Sequence, residues 1–280
     1  MKSSRKNVVA SIAFLCITSQ LLVWSIALIP LYVLGRLLPS TQSHVQNLCN
    51  HVYRIAVRTD DWILRNISQV TWEQPELPLS RNQVAIVIAN HCSWSDILIL
   101  QNLIVHRGPI LKFICKYELA FIPFFGLIIL AFGFPLVRRK SDRGTSNQDR
   151  RSRDLESIRE ACNNLDHDRA AIIIFPEGTR FTKEKHERSQ SRFKHLLNPR
   201  LGGFETTFES LREFKPNILD ITLVYPRSSS FWEFVGGVNR KIELRCNITP
   251  FKVVDEIGAS QWLNEVWEVK DSEISQVHNL

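Results

Sequence analysis

Hydrophobic and polar positions divide the chain into segments of distinct character. From Val8 to Gly35 no charged residue occurs, and as one helix this run would span ~42 Å against a hydrocarbon core of ~30 Å. Lys2, Arg5 and Lys6 precede it and Arg36 ends it. A cleaved signal peptide also starts basic, but its apolar region is about 7–15 residues and closes on small residues. Neither description fits, so a retained membrane segment is expected, interrupted near its end by Pro30 and Gly35. Between Val45 and Ile67 the apolar residues Val45, Leu48, Val52, Ile55, Ala56, Ile63 and Ile67 alternate at helical period with His44, Asn47, His51, Arg54, Arg58 and Arg65. That is the pattern of an amphipathic surface helix. Two arrangements fit: a single crossing, or a helical pair whose first member dips into one leaflet and whose second lies along the surface.

A second apolar stretch, Leu119 to Val137, has no polar side chain, but Pro123, Gly126, Gly133 and Pro135 cut it into short pieces. Irregular backbone is not tolerated in contact with lipid. We therefore expect a buried helix followed by a short strand, near the membrane and beside an acyl-chain site. Elsewhere the chain alternates strand and helix. Val84–Ala89 and Ala171–Phe175 are continuous apolar runs, and Ile218–Tyr225 a less pure one, suited to strands buried on both faces. Ile242, Leu244, Cys246 and Ile248 alternate with polar residues, as in a half-exposed strand. Helices are predicted near Asp96–Leu103, Gln148–Leu165, Leu201–Phe214 and Ser260–Glu273. The expected fold is α/β, a mixed β-sheet flanked by helices, with residues 71–280 forming that domain and residues 1–70 an N-terminal membrane helix plus amphipathic helix.

Charge and cysteine usage narrow the function. Lys+Arg 35 against Asp+Glu 28 leaves +7, which suits an acidic partner. Arg138, Arg139, Lys140, Arg143, Arg150, Arg151 and Arg153 oppose only Asp142 and Asp149. Next to apolar surface, such a block favours lipid head groups; no recognition motif accompanies it, so nucleic acid is not expected. Six scattered cysteines without a C-x-x-C pair argue against a zinc finger, a redox dithiol and a secreted disulfide scaffold.

Candidate chemistry sits at two strand ends. Val84–Ala89 leads into Asn90-His91-Cys92-Ser93-Trp94-Ser95-Asp96. Residues five apart on a continuous helix diverge by about 140°, so His91 and Asp96 meet only across a turn. A carboxylate in the first helical turn could then hold one imidazole nitrogen and leave the other as a general base. Ser93-x-x-Asp96 also fits a helix capping box. Cys92 is a weak nucleophile candidate, because strand-end neighbours point apart, and no G-x-S-x-G elbow is present. A dyad without its own nucleophile makes sense when the substrate supplies the attacking hydroxyl. The second strand end is Phe175-Pro176-Glu177-Gly178-Thr179-Arg180: Pro ends the strand, Gly permits positive φ, and Arg offers a planar fork for phosphate.

Taken together, Asn90-His91 with Asp96 and the complete Phe-Pro-Glu-Gly-Thr-Arg block resemble the membrane-bound 1-acylglycerol-3-phosphate acyltransferases. Lys116-Tyr117-Glu118-Leu119 with Ile122-Pro123-Phe124-Phe125-Gly126 looks like the same family, and Phe181-Thr182-x-x-Lys185 is similar to a bacterial subgroup and to eukaryotic long-chain lysophospholipid relatives. The resemblance covers Val84 to Pro226. Many members carry Phe-Ile-Asp-Arg in their second block, where this chain has Leu136-Val137-Arg138-Arg139, so both arginines stay candidates. The fourth block, Leu223-Val224-Tyr225-Pro226, is a loose match.

The resemblance implies a mechanism. His91 would be general base on the free hydroxyl of a lysophospholipid, with Asp96 orienting it. Asn90, Arg138, Arg139, Glu177, Gly178, Thr179 and Arg180 would make up the substrate-binding set. The acceptor would be 1-acyl-sn-glycerol-3-phosphate or a lysophospholipid with a larger head group, and the donor an acyl-CoA or acyl-carrier-protein thioester. No metal or prosthetic group is implied. Such donors are cytosolic, and the basic N-terminus favours the same side. A single crossing would strand the domain away from its donor, and His51, Arg54, Arg58 and Asp61 make a second crossing expensive. A hairpin in one leaflet of a bacterial inner membrane is therefore expected, with the active site on the cytoplasmic face. A lipid hydrolase using water with the same dyad, and a non-catalytic membrane adaptor, are the rival classes.

Overall fold

The computed structural model describes residues 2–106, 108–122, 125–132, 134, 136–137, 147–163 and 170–278. The chain opens with two long helices, α1 (Lys2–Leu37) and α2 (Gln42–Asn66), joined by a short 3-10 turn at Pro39–Thr41. Then follow β1 (Thr71–Trp72), β2 (Ala85–Ala89), α3 (Ser95–Val105), β3 (Leu111–Phe113), β4 (Cys115–Lys116), α4 (Phe125–Ala131), β5 (Leu136–Val137) and α5 (Asn147–Asn163). The C-terminal half comprises β6 (Ala171–Ile174), α6 (Lys183–Ser189), α7 (Leu201–Ser210), β7 (Asn217–Val224), α8 (Phe231–Val235), β8 (Lys241–Thr249), α9 (Phe251–Ile257) and α10 (Ala259–His278).

Six strands form one mixed sheet in the order β1-β8-β7-β2-β6-β3, while β4 and β5 pair separately. Every residue of β2, Ala-Ile-Val-Ile-Ala, is buried, as is every residue of β6. These uninterrupted runs occupy the sheet centre, where helices cover both faces. β2 lies parallel to both neighbours, with Ile88 opposite Ile174 of β6 and Asp220 of β7. Because that register is level, the chain leaves β2 and β6 side by side, and the two candidate motifs emerge at one edge. β7 and β8 run antiparallel. Beneath β7, the fully buried Lys270 of α10 donates to Ile221 O at 2.8 Å and Thr222 Oγ1 at 3.1 Å and pairs with Asp220.

The N-terminal pair departs from expectation in two respects. α1 runs through both Pro30 and Gly35 without ending; a proline removes one backbone bond, and the flanking apolar turns keep theirs. Gly35 has a different use. A Cβ there would lie 3.3 Å from Val45 Cγ1, so glycine lets α2 fold back closely on α1. The buried stripe of α2 is Cys49, Val52, Tyr53, Val57, Ile63 and Leu64, while Leu48 and Ile55 face outward with Trp62. Polar anchors set this rotation. Tyr53 donates to Leu111 O at 2.9 Å, and Arg54 caps the end of α3 through Val105 O and Gly108 O at 2.6 and 3.0 Å.

The 119–137 region gives a helix and a short strand as expected, α4 and β5. Pro123, Gly133 and Pro135 lie outside the described residues. α4 is not fully buried: Leu130 is exposed, and so are Phe121 and Ile122 just before it. Gly126 is obligatory, since a Cβ would fall 1.9 Å from Ala120 O. The predicted helix over 201–214 divides into α7 and a 3-10 turn at Arg212–Phe214, closed by Lys215 at φ 45°. Pro216 disfavours the helical conformation at the residue before it.

Candidate active site

β2 stops at Ala89 because the next side chain takes over the ladder. Asn90 donates from Nδ2 to Leu223 O at 2.9 Å and accepts at Oδ1 from Leu223 N at 2.8 Å. The following turn carries His91 away from the sheet and returns the chain into α3. Asp96, in the first turn of α3, is wholly buried. Its Oδ2 lies 2.8 Å from His91 Nδ1 and accepts from Cys92 N and Ser93 N at 2.7 and 2.9 Å; its Oδ1 accepts from Tyr225 Oη at 2.6 Å. Four donors offset the burial of the carboxylate, and they fix the geometry that brings residues five apart together. The capping-box reading holds by half: Asp96 accepts from Ser93 N, whereas Asp96 N bonds Ser93 O and not its hydroxyl.

The acceptor-only carboxylate makes Nδ1 the donor and leaves Nε2 with a free lone pair. The imidazole is further clamped by the Phe175 ring, stacked at 4.1 Å between centroids and 19° between planes. Its side chain keeps 16% exposure, enough for one edge to meet a substrate. Cys92 cannot compete as nucleophile. Burial, reinforced by Asp96 and Glu177, pushes its thiol well above the ordinary range, and Sγ accepts from Asn90 Nδ2 at 3.3 Å.

From β6 the second motif folds over the first. Phe181 N donates to His91 O at 2.7 Å, and Gly178, at φ 67°, returns its N–H to Phe175 O at 2.8 Å. Glu177 is 2% exposed. Its Oε1 accepts from His91 N at 2.8 Å and its Oε2 from Leu197 N at 3.1 Å. Burial, with Asp96 nearby, raises this carboxyl to about 7, while the two backbone donors and Lys270 pull it down. Asn90 and Glu177, expected among the acceptor contacts, are thus turned inward and spend their polar atoms on backbone. Thr179 Oγ1 accepts from Lys185 Nζ at 2.7 Å, and the same ammonium donates to Arg180 O at 2.9 Å. The Arg180 guanidinium is exposed and lies 4.9 Å over the Trp94 ring. Arg138 and Arg139 lie outside the described residues.

His91, Asp96, Glu177, Gly178, Thr179 and Arg180 therefore converge at one sheet edge. Tyr225, from the loosely matched block Leu223-Val224-Tyr225-Pro226, joins them without having been singled out. The available signal was a tyrosine closing an apolar strand run, since a buried phenol needs a polar partner. Among the described residues the arrangement offers an imidazole with an open nitrogen, a buried thiol unsuited to attack, and cations beside them.

An acyltransferase family model matches residues 69–228. The 1-acyl-sn-glycerol-3-phosphate acyltransferase delta of Homo sapiens is 30% identical over 205 residues, covering 67% of this chain and 51% of that protein. Lysocardiolipin acyltransferase 1 of Gallus gallus is 26% identical over 211 residues, covering 69% and 54%. The chain spans about half the length of the curated relatives it matches. Among solved structures, the 1-acyl-sn-glycerophosphate (LPA) acyltransferase PlsC from Thermotoga maritima has the same fold, with a TM-score of 0.58 at 17% identity over 99% of this chain and 98% of that one. The family match takes in both strand ends, the dyad and Tyr225, and extends over more than half of the sequence; this chain belongs to the acyltransferase family.

Proposed function

We propose that the protein transfers a fatty acyl group from an acyl-CoA or acyl-carrier-protein thioester to the free hydroxyl of a lysophospholipid, with 1-acyl-sn-glycerol-3-phosphate as the preferred acceptor. The His91–Asp96 pair, its carboxylate buried and its Nε2 open, carries this reading. Nε2 takes the acceptor hydroxyl's proton as the oxygen attacks the thioester carbonyl. The new C–O bond forms, the C–S bond breaks, and the imidazolium returns its proton to the departing thiolate. Asp96 supports the imidazolium, at a benefit typical of general bases of ~10²–10⁴ in rate. Glu177 acts by holding His91's backbone N–H, and Asn90 by tying the end of β2 to Leu223 of β7. Gly178, Thr179 and Arg180, with Arg138 and Arg139, serve the glycerol-phosphate part.

The membrane arrangement we propose rests on α1. It is long and apolar enough to cross a bilayer, with mean hydropathy 2.2, yet it packs along the domain rather than away from it. Near its start, Trp232 Nε1 donates to Asn7 Oδ1 at 3.4 Å, and the Phe14 and Trp232 rings lie 5.9 Å apart. Farther along, Gln20 donates to Asp60 of α2, and Gly35 meets Val45. Contact with α8 of the α/β domain near its start and with α2 farther along supports a hairpin dipping into one leaflet of a bacterial inner membrane, its outer apolar face and Phe121 toward lipid, and its active site cytoplasmic. The relationship to lysocardiolipin acyltransferase 1 favours a second reading, in which the acceptor has a larger head group.

The test is a donor and acceptor panel on purified protein. Donor-dependent acylation of lysophosphatidate above other lysophospholipids is expected. Release of fatty acid to water without acceptor acylation would make the protein a hydrolase.

A further inference from the structure

The turn Gly178–Arg180 carries more positive charge than its motif explains. Arg180 stands over Trp94, and Lys185 reaches Thr179 from α6. A third cation comes from a segment that no motif singled out. Arg200, just before α7, anchors its backbone by donating N–H to Pro176 O at 2.7 Å. Its side chain lies flat on Gly178: a Cβ at that glycine would be 3.0 Å from Arg200 Cδ, 3.1 Å from Nε and 3.3 Å from Cζ. The glycine thus serves twice, once for its positive φ and once for the room this arginine occupies. Leu197, three residues earlier, is tied to Glu177, which in turn holds His91. Arg200 is therefore fixed relative to the base.

Its charge is unspent. No acidic side chain among the described residues pairs with Arg200, whereas Arg192 pairs with Glu268 and Arg212 with Asp255. The one carboxylate in the hexapeptide, Glu177, points inward. Three cations around one short turn repel one another unless an anion joins them. A phosphomonoester fits best. It carries about −1.5 to −2 at neutral pH and three free oxygens, enough for two planar forks and an ammonium, while a phosphodiester offers one charge and two free oxygens.

We propose that Arg200, lying on Gly178, is a further phosphate contact of the acceptor site, and that it selects phosphomonoester over phosphodiester acceptors. This rests on the acyl-transfer reading above. The experiment compares wild type, Arg200→Gln and Arg200→Lys as full-length purified protein. Acceptor and donor KM are measured with lysophosphatidate and lysophosphatidylglycerol, lysophosphatidate binding is measured directly by calorimetry, and the melting temperature is recorded. Arg200→Gln should raise the lysophosphatidate KM and Kd about tenfold or more, with the lysophosphatidylglycerol KM changing less than about threefold. Arg200→Lys should recover part of the loss, and donor KM and melting temperature should hold. Unchanged lysophosphatidate affinity, equal loss for both acceptors, or a rise in donor KM instead would overturn the proposal. A wild type that binds lysophosphatidate through Arg200 yet transfers no acyl group would keep Arg200 and remove the activity; a wild type that neither binds nor acylates lysophosphatidate would remove both.

Discussion

Tyr225→Phe removes one atom from the site and leaves its packing volume nearly unchanged. The lost hydroxyl donates to Asp96 Oδ1 at 2.6 Å and lies 3.2 Å from Ser95 Oγ, all within a buried environment. Burial and the adjacent carboxylate push the phenol well above its ordinary range, so it stays a neutral donor throughout the working pH range. After the substitution Oδ2 keeps its three donors, while Oδ1 loses its bond from Tyr225. A hydrogen bond to a charged group contributes about 1.5–3 kcal/mol, and leaving a buried acceptor unpaired costs a similar amount. Asp96 matters most when His91 becomes imidazolium, so the loss should fall on kcat, by about 10-fold to 100-fold. Stability should fall by about 1–3 kcal/mol, within reach of a melting experiment. Steady-state kinetics with both substrates varied, beside thermal melts, decide the matter. A variant with full kcat would show that the second carboxylate oxygen does not support the base, and loss confined to KM would move Tyr225 into substrate binding.

Glu177, raised from 4.5 to about 7, makes stability depend on pH. The folded form holds its proton longer, so stability from this group is full below about 4.5 and is lost as pH rises through about 7, by roughly 3 kcal/mol. Chemical denaturation from pH 5 to 8 should show that fall in wild type and a flatter profile in Glu177→Gln; identical slopes would reject it. Arg180→Lys keeps the charge but loses the fork, and should raise acceptor KM by about tenfold with donor KM unchanged; an unchanged acceptor KM would shift phosphate recognition to Arg139 and Arg138. Single cysteines at Ser4 and Ser80, in a background lacking the native six, should both resist a membrane-impermeant reagent in intact cells. Labelling at Ser4 alone would mean one crossing, and labelling at Ser80 would place the active site outside.

The central strands were legible because Ala85–Ala89 and Ala171–Ile174 are unbroken apolar runs, and one look at the chain finds both. The spacing of His91 and Asp96 set the condition for their meeting, a turn between them, and the structure supplies that turn. Other features depend on tertiary neighbours. Asn90 and Glu177 stand in motifs beside the reactive residues, and only the level register of β2 with β6 and β7 shows that their polar atoms face backbone. Arg54 read as part of a polar outer face, yet it caps α3 from below. Pro30 read as a break, yet α1 continues through it, because one missing bond does not end a helix whose neighbours support it.

His91→Ala removes the proposed base itself. The imidazole sits at a strand end, held by Asp96 and Phe175, and the overall fold does not depend on it. The purified variant should keep its circular dichroism and its binding to phospholipid vesicles, and should lose acyl transfer by about 10²-fold or more. Transfer persisting above about a tenth of wild type, in a folded and membrane-bound variant, would remove His91 as the base and contradict the mechanism.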